Sequence, residues 1–348
     1  MITPWELPDF DDHEGVHLFR DVPAGLTAVI AVHSTALGPA AGGTRFWHYA
    51  DRMAAVTDSL RLSRGMSYKN AMAGLPMGGG KAVILADATA NKAQALIAAF
   101  AGAVDSLAGR YVTAQDVGMS EADMITISGR TPYVCGLPAA PGEAGGDPGP
   151  STALGVYNGV IAAIKHALGR DDARGVHVAI QGVGSVGGGL ARLLARDGAR
   201  LTIADASSHA AEVCARELGA TVVSTEEIME VDADVFSPCA LGAIFDTHSI
   251  ARLKVAAVAG GANNQLASAI DGDALMARGI LYAPDYVINA GGIINVGVQY
   301  MKLGGASEVE KRIAGIAPRL NQIWQESKSS GLNSAAVADR IAQRLIGR

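Results

Sequence analysis

The sequence predicts a two-domain α/β protein whose second domain contains a doubly wound parallel sheet. Its length, 348 residues, favours two domains over one. Residues 138–150 are rich in proline and glycine and separate two halves of different organisation, which is typical of a linker. The second half contains a strand–turn–helix–strand pattern, the unit from which parallel sheets are built. We therefore predict domains at residues 1–137 and 151–325, with the linker between them acting as a hinge.

The composition permits sizeable aliphatic cores and argues against two classes of partner. Hydrophobic residues make up 49% of the chain and aromatic residues only 5%, so the cores must be built from Ala, Val, Ile and Leu. The formal net charge is -6 and no dense run of Lys or Arg occurs. Nucleic acid and anionic membrane surfaces are therefore not expected as partners.

Cysteine usage and the N-terminus indicate a cytoplasmic protein. Cys135, Cys214 and Cys239 lie far apart, and their odd number argues against a disulfide framework. The first residues have neither the basic nor the apolar segment of a signal peptide. No apolar stretch without Gly or charge approaches the length of a membrane span. We expect a soluble protein of a reducing compartment.

The first half alternates strand and helix patterns. Short β-rich runs come first, then a glycine-rich loop that precedes a long helix, and finally a second helix and a strand. The predicted elements are strands at Gly15–Phe19 and Leu26–His33, the loop at Leu37–Arg45, helices at Asp51–Met66 and 91–109, and a strand at Tyr111–Ala114.

One motif near the N-terminus matches a metalloprotease pattern without its context. His13-Glu14-Gly15-Val16-His17 has the H-E-x-x-H spacing, which needs both histidines on one face of a helix. Here the surroundings are acidic and strand-like, and no third ligand follows at a familiar spacing. We expect no metal site.

A stretch with two lysines, Ser67–Lys81, is the most unusual part of the first half. Lys69 lies where a helix could end, and Lys81 follows three glycines and leads into an apolar strand. Glycines there would let the chain approach another group closely. Loss of hydration and a second cation nearby would lower the pKa of Lys81 towards that of a general base. A lysine snorkelling from the end of a strand is the alternative interpretation.

An aspartate follows the strand predicted at Tyr111–Ala114. Asp116 lies at the carboxyl end of that strand, where α/β folds tend to place ligand-facing groups. A turn aspartate without function is the alternative.

The second half contains a dinucleotide-binding fingerprint. After a strand at Val176–Gln181, the G-x-G-x-x-G pattern opens a helix that runs to Asp197. The next strand, Arg200–Ala204, ends in Asp205, an acid that would bind the adenosine ribose hydroxyls and repel a 2′-phosphate, which favours NAD over NADP. The fingerprint residues are Gly182, Val183, Gly184, Ser185, Val186 and Gly187.

Further strand-and-loop units follow the fingerprint. Apolar runs end in small or polar residues near Cys239 and Ala240, Asn263 and Asn264, and Asn289, as expected for successive parallel strands that line a crevice. Cys239 has no local base, so we expect it to line the crevice rather than act as a nucleophile. Amphipathic helices are predicted at 152–168, 306–326 and 332–347.

Several stretches together resemble the leucine/phenylalanine/valine dehydrogenase branch of the glutamate dehydrogenase superfamily. The resemblance spans nearly the whole chain in the family's order, and the stretch with two lysines is specific to that branch. The matching segments are Leu37–Arg45, Gly65–Asn70, Leu75–Lys81, Asp116-Val117, Gly182–Gly187, Ser237–Gly242 and Asn289–Gly292.

The resemblance implies a fold and an activity. The expected fold has an N-terminal α/β substrate and oligomerisation domain (1–137 plus a C-terminal helix at about 326–348), a Rossmann-type NAD domain, and an active-site cleft between them. The expected reaction is the reversible oxidative deamination of an L-amino acid to a 2-oxo acid, ammonium and NADH. Family members form homo-oligomers, and one is expected here.

The resemblance also implies residue roles. Lys69 would grip the substrate carboxylate, Lys81 would be the base that activates water, and Asp116 would shuttle protons. The backbone of Gly42 and Gly43 would lie against the substrate. We further expect Thr152, Cys239, Ala240, Asn263 and Asn289 to contact the cofactor and Asn264 to contact the substrate, although the sequence leaves open which of Asn263 and Asn264 does so.

An apolar pocket is implied for the substrate side chain, which disfavours glutamate. The branched residues suggest a leucine or valine substrate, but phenylalanine or tryptophan remains open because apolar pockets discriminate weakly. Two other functions are kept in view, a noncatalytic NAD-binding regulator and a pyridoxal-phosphate enzyme that uses Lys81. The implied pocket residues are Gly42, Met66, Ala114, Ile293 and Val296.

Overall fold

A computed structural model describes residues 3–7, 9–86, 92–240 and 242–348. The chain forms two compact units, the first of residues 1–147, 295–308 and 342–348, and the second of residues 148–294 and 309–341. A two-domain α/β fold is therefore confirmed. The first unit includes residues 138–147 and two later segments of the chain, 295–308 and 342–348. The sequence-based assignment had ended its first part at residue 137 and had added one later segment, at about 326–348.

The first unit is built on a five-stranded sheet. Its strands follow the order β1-β2-β4-β3-β5, in which β1, β2 and β4 are antiparallel neighbours and β3 runs parallel to β4 and β5. The strand bounds are β1 Gly15–Asp21, β2 Leu26–Ser34, β3 Ala40–Trp47, β4 Gly78–Leu85 and β5 Tyr111–Gln115.

The expectation of a glycine-rich loop at Leu37–Arg45 was wrong, because most of that stretch belongs to β3. Glycines weaken an isolated strand, but β3 lies between β4 and β5 and forms parallel hydrogen-bonded ladders with both. Tertiary pairing therefore overrides the local preference. Lys81 likewise lies inside β4, whose ladder begins at Gly78.

Three helices of the first unit cover this sheet, and α1 is the longest. It begins at an N-cap, where the Asp51 carboxylate accepts a hydrogen bond from the backbone N–H of Met53, and it extends six residues beyond the Met66 end predicted from the sequence. The side-chain amide of Asn70 donates to Gly78 O at 2.6 Å and so ties α1 to the start of β4. The helix bounds are α1 Arg52–Met72, α2 Gln94–Ser106 and α3 Glu121–Ser128; residue 91, where α2 was expected to begin, lies outside the described residues.

Glycines let α1 lie directly on β4. A Cβ at Gly79 would overlap the backbone nitrogen and hydroxyl of Ser67 on α1, and a Cβ at Gly80 would lie 2.6 Å from the ring of Tyr111. These glycines are required by packing within the unit, a reason that the sequence alone did not reveal. The core on the other face contains the fully buried Phe100 and Ile84.

The second unit contains a six-stranded, all-parallel sheet with the order β11-β10-β9-β6-β7-β8. The first strand along the chain lies in the middle and the order reverses there, which is the doubly wound topology predicted from the sequence. Ligands of such sheets bind beyond the carboxyl ends of the strands at that reversal, between β6 and β9. The strands are β6 His177–Gln181, β7 Arg200–Ala204, β8 Thr221–Val222, β9 Val235–Pro238, β10 Ala257–Val258 and β11 Leu281–Tyr282.

Helices α4 to α13 complete the chain. The predicted helix at 306–326 is divided in two at residue 315, and the predicted α4 begins three residues early. Their bounds are α4 Gly149–Leu168, α5 Ser185–Arg196, α6 Ser208–Leu218, α7 Thr247–Arg252, α8 Ile270–Ala277, α9 Asp285–Ile288, α10 Gly291–Tyr300, α11 Ala306–Ala314, α12 Ile316–Ser330 and α13 Ser334–Leu345.

Two side-chain amides on α10 hold the predicted linker. Asn295 donates to Gly145 O and accepts from Gly145 N, both at 2.8 Å. Gln299 makes the same pair of bonds with the backbone of Leu137, at 2.8 and 3.1 Å. Residues 137–145 are therefore fixed to the first unit by reciprocal hydrogen bonds, and the hinge role of 138–150 stays a prediction.

The H-E-x-x-H histidines do not share a helical face. His17 lies on β1, while His13 precedes that strand and bonds to Leu60 O and to the Ser63 hydroxyl on α1. No group of three or more His, Cys, Asp or Glu side chains in the described ranges could hold a metal ion. No helix that the structure describes is long and apolar enough to cross a membrane.

The close contact of α1 with β4 generates a stability prediction. Gly79→Ala should lower the free energy of unfolding by about 1–3 kcal/mol or more, because the added methyl must push α1 away from the sheet. Urea unfolding followed by circular dichroism measures the change. Gly102→Ala is the control: Gly102 is exposed on α2 with open space around it, so alanine should stabilise by about 0.5–1 kcal/mol. Equal effects of the two substitutions would contradict this account of Gly79.

Candidate active site

The structure brings Lys81 and Asp116 into contact. Lys81 lies on β4 and Asp116 directly follows β5, with β3 between these two strands. The Lys81 ammonium donates a hydrogen bond to Asp116 Oδ2 and forms an ion pair with it. The other carboxylate oxygen accepts the backbone N–H of Val117 at 2.6 Å. Residues 35 positions apart in sequence therefore form one acid–base pair.

Two glycines of β3 make this contact across the sheet possible. A Cβ at Gly43 would lie 2.8 Å from the Cβ of Asp116, and a Cβ at Gly42 would overlap Gly80 O and lie 3.1 Å from Met66 Cγ. A Cβ at Gly42 would lie 1.8 Å from Gly80 O and a Cβ at Gly43 2.5 Å from Gln115 O, both backbone atoms, so glycine is required at both positions. The Tyr111 hydroxyl donates to Gly42 O at 2.7 Å and holds this backbone in place.

The environment of Lys81 favours its neutral form. The residue is only 4% exposed. Burial, followed by the charges of Arg45 and Lys69, lowers the pKa of Lys81 to about 7. The carboxylates of Asp58 and Asp116 act in the opposite direction. At neutral pH, Lys81 can therefore exchange a proton.

Lys69, Met66 and Ala114 lie on elements around this pair. Lys69 is in the last turn of α1 and is half-buried, as is Met66 one turn earlier. Ala114 is buried on β5, opposite Gly43 in the β3–β5 ladder. The first unit thus brings together Gly42, Gly43, Met66, Lys69, Lys81, Ala114 and Asp116 around the junction of α1, β3, β4 and β5.

The last two predicted pocket residues, Ile293 and Val296, lie on α10. Ile293 is half-buried and belongs to the second unit, whereas Val296 is buried and belongs to the first. Val296 Cγ1 would lie 3.6 Å from a Cβ at Gly136, so it packs against the chain that follows β5.

The fingerprint turn has the geometry of a phosphate-binding loop. Gly182 has φ +90°, in the left-handed region that favours glycine. A Cβ at Gly187 would overlap Gly182 O and lie 3.0 Å from Cys239 Cβ, so the third glycine lets α5 approach the turn. Gly184, just before the first residue of α5, has open space where a Cβ would lie. That space at a helix N-terminus fits a pyrophosphate.

Asp205 lies where the sequence predicted, directly after β7. Its Oδ2 accepts the backbone N–H of Val183 and its Oδ1 that of Ser207, both at 2.8 Å. The carboxylate therefore braces the fingerprint turn from the neighbouring strand, and it is only half-buried, which leaves it accessible to a ligand.

Other predicted cofactor residues surround the ends of β6, β9 and β10. Ala240 lies against Gly182, and the Cys239 backbone N–H donates to Gln181 O at 2.7 Å. Burial raises the pKa of the Cys239 thiol, which disfavours a thiolate nucleophile. The Thr152 hydroxyl, in the first turn of α4, donates to Pro148 O at 2.8 Å.

The asparagines form a small polar cluster. Asn289 donates to Asn263 Oδ1 at 2.8 Å and to Gly261 O at 3.2 Å. Its own Oδ1 is buried and has no hydrogen-bond partner among the described residues, which marks a place for a ligand donor. Asn263 and Asn264 are both exposed, and Asn264 has φ 51°. These amide groups could form hydrogen bonds with a cofactor whose ring carries a carboxamide group.

Sequence reasoning did not assign the side chains that surround Asp116. Arg45 Nε lies 3.5 Å from Asp116 Oδ2, and Arg45 Nη1 donates to Asp58 Oδ2 at 2.9 Å. No spacing in the sequence indicates this arrangement, because it depends on β3 lying between β4 and β5. The only local signal was that Arg45 ends the matched segment Leu37–Arg45.

Comparison with known proteins agrees with this geometry. Residues 16–133 match the family model described as Glu/Leu/Phe/Val dehydrogenase, dimerisation domain, and residues 203–342 match the model for Glutamate/Leucine/Phenylalanine/Valine dehydrogenase. The chain is 43% identical to the leucine dehydrogenase of Bacillus subtilis over 337 residues, 97% of this chain and 92% of that protein.

Two further relatives are of similar closeness. The valine dehydrogenase of Streptomyces virginiae is 43% identical over 339 residues, 97% of this chain and 94% of that protein. The crystal structure of L-tryptophan dehydrogenase from Nostoc punctiforme matches with a TM-score of 0.85 at 41% identity, covering 96% of each chain.

The lowered pKa of Lys81 generates a pH prediction. The pKa of a lysine in an unfolded chain is about 10.4, so between about pH 7 and 10 the unfolded chain holds more protons at this position than the folded chain. The free energy of unfolding of the wild type should therefore rise with pH relative to that of Lys81→Met, by up to about 1.4 kcal/mol per pH unit. Urea unfolding of both proteins from pH 6.5 to 10 measures this. A difference that does not change with pH would contradict the burial argument.

Proposed function

The chain belongs to the Glu/Leu/Phe/Val dehydrogenase family, and on that premise we propose that it catalyses the reversible oxidative deamination of an apolar L-amino acid. The products are the 2-oxo acid, ammonium and NADH. The observation that carries the proposal is the contact of buried Lys81, whose pKa is about 7, with the half-buried carboxylate of Asp116.

Lys81 acts as the general base. NAD held at Gly182–Gly187 would supply the oxidation, since it would take up the hydride that leaves the substrate Cα once the amino group is neutral. The substrate is then an iminium ion, whose carbon is attacked by water. Lys81 in its neutral form takes a proton from that water as the C–O bond forms, which gives a carbinolamine. A pKa near 7 suits this task because the neutral amine and the ammonium are both populated at neutral pH.

Asp116 completes the proton transfers. The carbinolamine nitrogen must gain a proton before its C–N bond breaks, and Asp116 can deliver one that Lys81 has taken up, because the two groups share a hydrogen bond. The C–N bond then breaks, and its electron pair leaves with ammonia as the carbonyl forms. The hydroxyl proton passes to Lys81, which is neutral again after the transfer through Asp116, and ammonia takes up this proton as it leaves as ammonium. Lys69, a cation at the end of α1, binds the substrate carboxylate, and the backbone at Gly42 and Gly43 supports the substrate.

The substrate side chain is apolar in this proposal. Met66, Ala114, Ile293 and Val296 offer no charged partner, so burial of a glutamate carboxylate among them would be costly. The three relatives named for leucine, valine and tryptophan all carry apolar amino acids in their names. Branched Ile293 and Val296 favour a leucine- or valine-sized side chain, with an aromatic substrate as the alternative.

NAD is the proposed cofactor. Gly182 to Gly187 would hold its pyrophosphate, and the Asp205 carboxylate would accept hydrogen bonds from the ribose hydroxyls. The Asn289 Oδ1 accepts no hydrogen bond from the residues that the structure describes, and it could accept one from a ligand donor such as the nicotinamide carboxamide. Thr152, Cys239, Ala240 and Asn263 complete this cofactor set, and Asn264 is assigned to the substrate.

Self-association through the first unit is also proposed. The matched N-terminal family model is described as a dimerisation domain. Strand β1 is an outer strand of its sheet, and Leu18 on it is 72% exposed. An exposed strand edge with an apolar side chain is a suitable surface for a second copy.

A screen for NADH production with apolar L-amino acids tests the activity. We expect turnover with at least one of leucine, valine, isoleucine, phenylalanine and tryptophan, and no comparable turnover with glutamate. Lys81→Ala should reduce kcat by at least about 10²-fold, the scale of general-base catalysis, while NADH binding persists.

The matched control is Lys92→Ala, since Lys92 is also a lysine of the first unit that forms an ion pair, with Asp123. Its kcat should remain near that of the wild type. NADH binding by the wild type without turnover of any amino acid would favour a noncatalytic regulator instead. Retained turnover in Lys81→Ala would refute the role of Lys81.

Asp205→Asn tests the choice between NAD and NADP. Removing the charge should lessen the preference for NADH over NADPH by about tenfold or more, because a 2′-phosphate would no longer meet a carboxylate. Fluorescence titration gives the ratio of the two dissociation constants. Asp234→Asn is a suitable control, since Asp234 also accepts a backbone N–H, from His177 at 2.7 Å, but at the amino end of β6. An unchanged ratio in Asp205→Asn would contradict the ribose assignment.

A further inference from the structure

A second cation lies beside the Lys81–Asp116 pair. Arg45 projects from β3, and its Nε lies 3.5 Å from Asp116 Oδ2, the oxygen that Lys81 also contacts. The Arg45 Nε atom is buried and makes no hydrogen bond among the described residues. A buried guanidinium N–H without an acceptor costs free energy, so we looked for a function of Arg45 that requires its Nε atom to lie near Asp116.

An aspartate on α1 anchors Arg45. Asp58 Oδ2 accepts from Arg45 Nη1 at 2.9 Å and from the Tyr49 hydroxyl at 2.6 Å, while its Oδ1 accepts from Arg61 Nη2 at 2.9 Å. Although burial acts to raise it, these hydrogen bonds and the two arginine charges hold the pKa of Asp58 below its usual value. Asp58 therefore stays ionised and fixes one end of the guanidinium, so the other end faces Asp116.

We propose that Arg45 is a positioning residue for the proton-transfer pair, anchored by Asp58, and that it provides the Asp116 carboxylate with a second cationic partner when Lys81 turns towards water or substrate. This inference rests on the proposed deaminase activity. Arg45 Nε–H and the Lys81 ammonium both lie near Asp116 Oδ2, so a small rotation of the Asp116 side chain would replace one hydrogen-bond partner with the other.

The arrangement suits a base that must lose its charge. When Lys81 becomes neutral, Asp116 loses the partner that compensates its own charge in a poorly hydrated site. A carboxylate left alone there would hold a proton too tightly to pass it on to the carbinolamine nitrogen. The permanent charge of Arg45 weakens that hold, so Asp116 can accept a proton and release it, because a guanidinium does not deprotonate.

Charges on several elements act on Lys81 together. Arg45 on β3 and Lys69 and Arg61 on α1 favour its neutral form, whereas Asp58 on α1 and Asp116 after β5 favour its charged form. Removal of Arg45 and removal of the Asp58 charge should therefore shift the titration of Lys81 in opposite directions. A residue that only stabilised the fold would not produce such opposite shifts.

The test compares pH profiles of kcat and kcat/KM for Arg45→Met, Arg45→Lys and Asp58→Asn. Arg45→Met should lower kcat by roughly 10–100-fold with KM changed less than about threefold, and should move the acid limb of kcat/KM to higher pH, because Lys81 keeps its proton longer. Asp58→Asn should move that limb to lower pH. Arg45→Lys keeps the charge but not the planar fork, so its limb should stay near that of the wild type while kcat is partly lost.

The control is Arg52→Met, the same substitution at the exposed first residue of α1, which should leave both profiles unchanged. Thermal unfolding of each variant checks its fold. If Arg45→Met does not fold, the other two variants test the proposal. It is overturned if the acid limb of kcat/KM in Asp58→Asn lies at the wild-type pH and Arg45→Lys has the kcat of the wild type. Failure of the proposed function is a different result, since the wild type itself would then oxidise no amino acid.

Discussion

The glycines in the middle of β3 and at the start of β4 are the constraint on which the candidate site depends. Gly79 lets α1 lie on β4, and Gly42 and Gly43 leave room for β4 and for Asp116. Because these contacts involve backbone atoms, a side chain at any of these positions would separate the elements. Lys81 can therefore be buried in the central strand β4 and still reach the Asp116 carboxylate, which follows β5 on the far side of β3. Electrostatic tuning of the lysine follows from that packing.

The parts of the fold that depend on neighbouring residues in sequence could be predicted. The turn at Gly182–Gly187 and the acid at Asp205 belong to one βαβ unit, so their spacing alone places them at one end of the sheet. The stretch Leu37–Arg45 was misassigned for the opposite reason. Its glycines disfavour a strand locally, and only the two flanking strands, from distant parts of the sequence, stabilise it as β3.

The arrangement of charges at the site could be predicted only in part. Lys69, Lys81 and Asp116 were identified by resemblance and by their positions at the ends of predicted elements. The anchoring of Arg45 by Asp58 was not, because it depends on a helix crossing the sheet beside β3, and no spacing in the sequence encodes that crossing. The reciprocal bonds of Asn295 and Gln299 with residues 137–145 were missed for the same reason, since the partners are about 150 positions apart.

Glycines position the proposed reacting groups, whereas other residues are assigned to the substrate side chain, and this separation has an evolutionary consequence. The proposed reacting groups, Lys81 and Asp116, are placed by backbone packing that tolerates no added methyl at Gly43 or Gly79. On the proposed assignment of Met66, Ala114, Ile293 and Val296 to the substrate side chain, a substitution at one of these four positions would change the size of the pocket and leave the reacting groups in place. Similar chains carry the names of small branched and large aromatic amino acids, which is the variation that such an arrangement allows.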